Sequence, residues 1–127
     1  MQGYTDNIET LTRENSHFRH VLFTSSHTQL VVMSLKPGED IGEEVHADVD
    51  QFFRVESGAG VMIMNGEETT VADGDVVIVP AGAQHNLINT SSDTPLQLYT
   101  LYSPPHHKDG TIHRTKEEAE MDSEDHV

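Results

Sequence analysis

From Phe18 to Tyr102 the chain runs in short segments rich in Val, Ile, Phe and Thr, broken at close intervals by Gly, Pro, Asn and Asp. Strands are expected near Phe18–Phe23, Gln29–Leu35, Glu43–His46, Gln51–Glu56, Gly60–Met64, Glu67–Val71, Val76–Val79, Ala83–Asn89 and Leu96–Tyr102. The breaks carry turn chemistry: Pro37-Gly38, the Asn65-Gly66 pair suited to a type I′ hairpin, Asp73-Gly74-Asp75 and Pro80-Ala81-Gly82. Ahead of the strands, Asp6 to Asn15 predicts a short helix capped by Asp6 or Asn7, with Ile8 and Leu11 on one side. No 3.6-residue apolar period follows it. Behind the strands, Pro104-Pro105-His106-His107-Lys108-Asp109-Gly110 leads into an acidic stretch from Glu117 to Asp125, expected to be flexible, frayed or weakly helical because it has too little apolar surface to bury. Many short strands at regular spacing point to an all-β sandwich or jelly roll. The expected division is an N-terminal arm over 1–17, a β domain over 18–103, and a His-containing loop with an acidic tail over 104–127.

Composition narrows the function. With 127 residues, 35% of them apolar, the chain has room for one modest core and no second catalytic domain. A formal net charge of −15 with only seven Lys and Arg excludes nucleic acid and anionic membrane surfaces as main partners. No stretch reaches the roughly 18–20 apolar residues of a membrane helix, and the first residues lack the basic and apolar regions of an export signal, so a soluble, cytoplasmic protein is expected. There is no cysteine, which removes disulfides, thiolate ligands and a Cys nucleophile; any metal must be held by imidazole nitrogen and oxygen. Phosphate loops, GxSxG elbows and dinucleotide fingerprints are also absent from the sequence.

Side chains two apart on a strand share a face, so Glu44 and His46 project together and place a carboxylate beside an imidazole. By the same period His85, Leu87 and Asn89 share one face, and Gln51 shares another with Phe53 and Val55. If the sheet curls so that these faces meet, two imidazoles, one carboxylate and one amide oxygen converge. Such an N2O2 set suits Mn, Fe, Co, Ni or Zn.

Within GDVVIVPAGAQHNLIN, Gly74, Pro80, Gly82, His85 and Asn89 stand at the spacings Gly-x5-Pro-x-Gly-x2-His-x3-Asn. Upstream, Gly38, Glu44, His46, Gln51 and Gly58 keep the frame Gly-x5-His-x-His-x4-Glu-x6-Gly, with Glu44 at the first His position and Gln51 at the Glu position. In these two motifs the chain resembles the cupin superfamily over about Phe18 to Tyr102, and FFRVESGAG and LYTLYSPPHH also resemble small single-domain cupins, some described as similar to mannose-6-phosphate isomerase. The resemblance implies a double-stranded β-helix, or jelly-roll, barrel with a metal in its mouth. It implies Glu44, His46, Gln51 and His85 as ligands of one divalent transition metal (Zn, Mn, Fe, Ni or Co), and a small-molecule ligand. The two substitutions move the single carboxylate of the family set rather than delete it. Three functions then stand open: a sugar or sugar-phosphate isomerase-like enzyme, a metal-dependent dioxygenase, and a non-catalytic binder of a small ligand. A homodimer is expected, pairing through an exposed edge near Phe18 to Phe23.

His106, His107 and His113 form a second cluster, read as an exposed loop in preference to one of them reaching the barrel mouth as a proton shuttle or extra ligand, because adjacent side chains on an extended chain cannot both face inward. His17, His20 and His27 read as surface positions. Arg54 should lie opposite Gln51 and Phe53 as an exposed or dimer-face charge. Met33, Met62 and Met64 should fill the core, Phe52 or Phe53 should plug the barrel, and Tyr99 and Tyr102 should lie on opposite faces of the last strand.

Overall fold

Asn7 rather than Asp6 caps the N-terminal helix: its side chain accepts the Thr10 N–H, and α1 spans Ile8–Glu14. The computed structural model describes residues 2–122. Nine strands follow at or within two residues of the expected positions: β1 (Arg19–Thr24), β2 (Gln29–Leu35), β3 (Glu44–Val45), β4 (Asp50–Ser57), β5 (Ala59–Met64), β6 (Glu67–Ala72), β7 (Val76–Val79), β8 (Gln84–Asn89) and β9 (Leu96–Ser103). Two further elements close the described chain, β10 (Ile112–His113) and α2 (Lys116–Met121).

The strands form two antiparallel sheets, ordered β10-β1-β2-β9-β4-β7 and β3-β8-β5-β6. Their inner faces enclose a core that includes Val31, Met33, Leu35, Phe53, Val55, Met62, Leu87 and Leu98. This all-β jelly roll is the expected fold. Phe53 is the ring turned inward, while Phe52 faces out and stacks on Tyr99 at 6.1 Å. Arg54 also faces outward, 3.6 Å from the Glu56 carboxylate at a bulge in β4. Outside that sheet lies α1, held by Gln97 Nε2, which donates to the carbonyls of Arg13 (2.8 Å) and Asn15 (3.1 Å). Ile8 and Leu11 are only half-buried; the residue of α1 that is fully buried is Thr12, whose hydroxyl donates to the Ile8 carbonyl.

The C-terminal segment departs from expectation. It folds back as a strap along the barrel: Arg19 pairs with His113 and His20 with Ile112, so β10 covers part of the β1 edge from which dimer pairing was expected. His113 is buried; its Nδ1 lies 3.2 Å from an Arg19 guanidinium nitrogen and its Nε2 2.9 Å from Asp122 Oδ2. Thr115 caps α2 by accepting the Glu118 N–H, and Ala119 on that helix is buried. Lys116 reaches across to the Asp40 carboxylate, which this ammonium and the Asn86 amide hold below its usual pKa. The acidic stretch is therefore anchored and helical through Met121, while its last residues lie outside those described.

Gly58 ends the first motif at φ +102°, and a Cβ there would lie 2.5 Å from the Pro95 carbonyl oxygen. Backbone strain and a clash with main chain combine, so Gly58→Ala should destabilise the protein by about 2–4 kcal/mol in urea denaturation. An unchanged midpoint would mean that the chains at Gly58 and Pro95 are not held this close.

Candidate metal centre

Inward alternation brings rows from the two sheets to the same end of the barrel. On one sheet Gln29, Tyr102 and Gln51 are cross-strand neighbours through β2, β9 and β4. On the other, Glu44 pairs with His85, and His85 with Met64. His46 follows β3, and its carbonyl accepts the Gly82 N–H at 2.8 Å, so the Pro80-Ala81-Gly82 turn positions both His46 and the start of the His85 strand.

Glu44, His46 and His85, three of the four residues expected as ligands, lie close together, and Gln51 stands in the inward row beside Tyr102, whose ring is 6.1 Å from that of His46. His46 Nε2 lies 3.8 Å from Glu44 Oε1, and the rings of His46 and His85 are 5.4 Å apart. His85 Nδ1 sits 3.1 Å from the Ala83 carbonyl, an acceptor, which places the proton on Nδ1 and leaves Nε2 with its lone pair. Gln51 donates its amide N–H to Thr100 Oγ1 at 3.0 Å, which turns Oε1 the other way. The outcome is three buried atoms, His46 Nε2, His85 Nε2 and Gln51 Oε1, with no hydrogen-bond partner. Leaving a polar atom unsatisfied in the interior costs about 1–3 kcal/mol each, a cost that a shared partner would remove. A divalent cation fits: two imidazole nitrogens, an amide oxygen and the Glu44 carboxylate form a donor set of the borderline kind that first-row transition metals take.

A fifth residue joins them from the strap. The ligand atoms of Glu44, His46 and His106 all lie within 4.8 Å of one another, a tighter group than any that includes His85 among the described residues. The His106 ring is 4.2 Å from that of His46 and stacks at 5.4 Å on Tyr102. His107, 8% exposed, reaches Tyr102 Oη through Nε2 at 3.1 Å. The reading of His106, His107 and His113 as an exposed loop is thus corrected. The backbone past Ser103 is not an extended strand, so the rule that neighbours point to opposite sides does not apply. The adjacent pair His106-His107, immediately after a strand whose inner face carries Tyr102, was the available signal.

The sequence between Val31 and Tyr102 matches the family model described as "Cupin domain". The chain belongs to the cupin family. A solved structure from Bacillus halodurans, BH2720, is 42% identical to this cupin and superposes with a TM-score of 0.91, covering 94% of each chain. The uncharacterized protein YrkC of Bacillus subtilis is 46% identical over 119 residues, which are 89% of this cupin and 63% of that relative; this cupin therefore spans less than two thirds of YrkC's length. The uncharacterized protein L612 of Acanthamoeba polyphaga mimivirus is 42% identical over 114 residues, covering 87% of this chain and 71% of that one. The cupin's second motif divides its labour. His85 faces the site, whereas Asn89 is structural, its amide donating to the carbonyls of Leu35 and Thr94 at 3.0 and 2.9 Å.

Burial is the largest influence on His46 and lowers its pKa; the Glu44 carboxylate opposes it, His106, His85 and His107 reinforce it, and the result is about 4. Between pH 4 and the ordinary value of 6.5 the unfolded chain binds a proton at this residue that the folded chain does not. The His46 contribution to stability is therefore full above about pH 6.5 and lost as pH falls toward about 4. In metal-free protein, NMR titration should give the His46 ring a midpoint near 4, and a midpoint near 6.5 would show a solvated imidazole.

Proposed function

We propose that this cupin holds one divalent transition metal through Glu44, His46, Gln51 and His85, with His106 as a further donor, and uses it to bind a small oxygenated metabolite. The observation that carries the reading is the set of three buried, partnerless acceptor atoms His46 Nε2, His85 Nε2 and Gln51 Oε1 beside a carboxylate. When bound, such a metal supplies Lewis acidity that can hold and polarise two neighbouring oxygens of a hydroxy-carbonyl or dicarbonyl compound. The protein supplies the rest. Phe53 packs against the imidazoles, its ring 6.1 Å from that of His85, and Tyr102 stacks on His106 at 5.4 Å.

Glu44 differs from the barrel donors His46, Gln51 and His85 in its surroundings. Its side chain is 28% exposed, against 7% for His46, so it stands at the solvent side of the group and is the one carboxylate there. That position suits an isomerase-like reaction provided the metal does not fully occupy Glu44, whose carboxylate then takes a proton from the carbon beside a carbonyl and returns it to the neighbouring carbon. A dioxygenase would need no such base, and a binding module would need only the donors.

Elemental analysis of protein purified without added metal or chelator should find about one equivalent of a transition metal in the wild type, the expectation for one such donor set. Glu44→Ala and His85→Ala should lose it. A metal-free wild type whose melting temperature does not respond to Mn, Fe, Ni or Zn would refute the assignment. Turnover without oxygen on Zn or Mn would establish the isomerase, oxygen uptake with Fe, Cu or Ni the dioxygenase, and ligand stabilisation without either the binder.

The homodimer moves to another surface. Ile78, Phe52, Leu101, Leu30 and Phe23 are cross-strand neighbours on the outer face of the larger sheet, and Ile78 is 57% exposed. An apolar row of this kind can meet its own copy about a two-fold axis. Light scattering should give twice the chain mass for the wild type and the single mass for Ile78→Asp; a monomeric wild type would remove the dimer.

A further inference from the structure

Gln29 is fully buried at the start of β2, and it uses its entire hydrogen-bonding capacity on the strap and its surroundings. Its Nε2 donates to Thr24 Oγ1 at 2.9 Å and to the His107 carbonyl at 2.7 Å. Its Oε1 accepts the backbone N–H of His106 at 3.1 Å and of His107 at 2.9 Å. Three of these four bonds fix the main chain of two consecutive residues that lie 77 and 78 positions away in the sequence. The side chains they carry are those facing the site: His106 stacks on Tyr102 and lies beside His46, and His107 holds the Tyr102 hydroxyl. Gln29 and Gln51 flank Tyr102 in one inward row, so one amide is aimed at the donor cluster and the other at the backbone that brings His106 to it.

We infer that Gln29 is a positioning residue of the metal centre, acting through His106: it clamps the strap so that a donor absent from the barrel strands is delivered to the metal. The inference rests on the metal reading above. Glu44, Gln51 and His85 lie on paired strands and His46 directly follows β3, whereas His106 lies between β9 and β10, outside both, with its backbone N–H held by the Gln29 side chain. A ligand is held to the metal as firmly as the groups behind it are held, which is why removing such a support costs about 10–100-fold in metal affinity.

The test is Co(II) titration of the metal-free wild type, Gln29→Leu, His106→Ala and the double variant, reading the visible d–d spectrum and the affinity by competition. Gln29→Leu and His106→Ala should alter the spectrum in the same sense and each weaken binding by about 10–100-fold. The double variant should bind no more weakly than His106→Ala alone, because both changes remove one interaction. Wild-type affinity and spectrum in Gln29→Leu, or fully additive losses in the double variant, would overturn the positioning role while leaving the metal site standing. A wild type that binds no Co(II) would remove both. Should Gln29→Leu fail to fold, hydrogen exchange of the wild type decides: the His106 and His107 amides should exchange more slowly in the Co(II)-loaded protein, and unchanged rates would count against the linkage.

Discussion

The pairing of β9 with β2 on one side and β4 on the other is the constraint on which the rest depends. Tyr102 stands opposite Gln29 and Gln51 at once, and Thr100, two residues earlier, supplies the hydroxyl that orients Gln51. A strand has a side-chain period of two, so a slip of one residue would turn Leu98, Thr100 and Tyr102 outward and bring Tyr99 and Leu101 into the core. Apolar burial of Leu96 and Leu98, both 0% exposed, fixes the register at one end of β9. The polar row at the other end is then placed without further choice. Core packing and donor geometry are two consequences of one alignment.

Electrostatics explains why this arrangement is tolerated in a chain of net charge −15. The donor cluster keeps a single carboxylate, Glu44, on its solvent side, and its buried members are imidazoles and an amide. Burial keeps the His46 proton off, so the ring offers a lone pair rather than a charge. Gathering several imidazoles is unfavourable to protonating any of them and favourable to a cation that replaces the protons. Burial is the main cause of the lowered His46 pKa, and the neighbouring imidazoles that add to it are also what suits the site to a metal.

Strand positions, inward faces and the second motif were legible because each rests on local chemistry: β-branched alternation, glycine and proline at turns, and the Pro80 to Asn89 spacing. The facing of Gln51 with Phe53, of His85 with Leu87, and of Arg54 away from both follows from period two alone. Those cues do not reach contacts between distant segments. Gln29 looks like the polar first residue of a strand, and nothing near it announces the carbonyl and amides it meets 77 and 78 residues later. The strap was underestimated because its composition is acidic and poor in apolar residues. It is ordered instead by a few specific polar anchors: Arg19 with His113, Lys116 with Asp40, and Gln29 with His106 and His107. One local signal was present in the Thr115-x-x-Glu118 spacing, a helix-capping pattern that the structure uses.

Moving a donor from a barrel strand to a strap changes what kind of site this is. Ligands on paired strands share the global stability of the sheet, whereas a segment fastened by side-chain hydrogen bonds opens at a smaller free energy than the core. His46 and His85 are held by the Gly82 turn and the β3 to β8 pairing, and they persist as long as the barrel does. His106 persists only while the strap is docked. A metal that engages both sets therefore couples their equilibria: its binding favours the docked strap, and the docked strap favours binding by an equal factor. If Glu44 stands in for the imidazole that the first cupin motif would place on β3, and His106 supplies an imidazole from outside the barrel as proposed, the affinity of the site is a property of the C-terminal segment as much as of the fold.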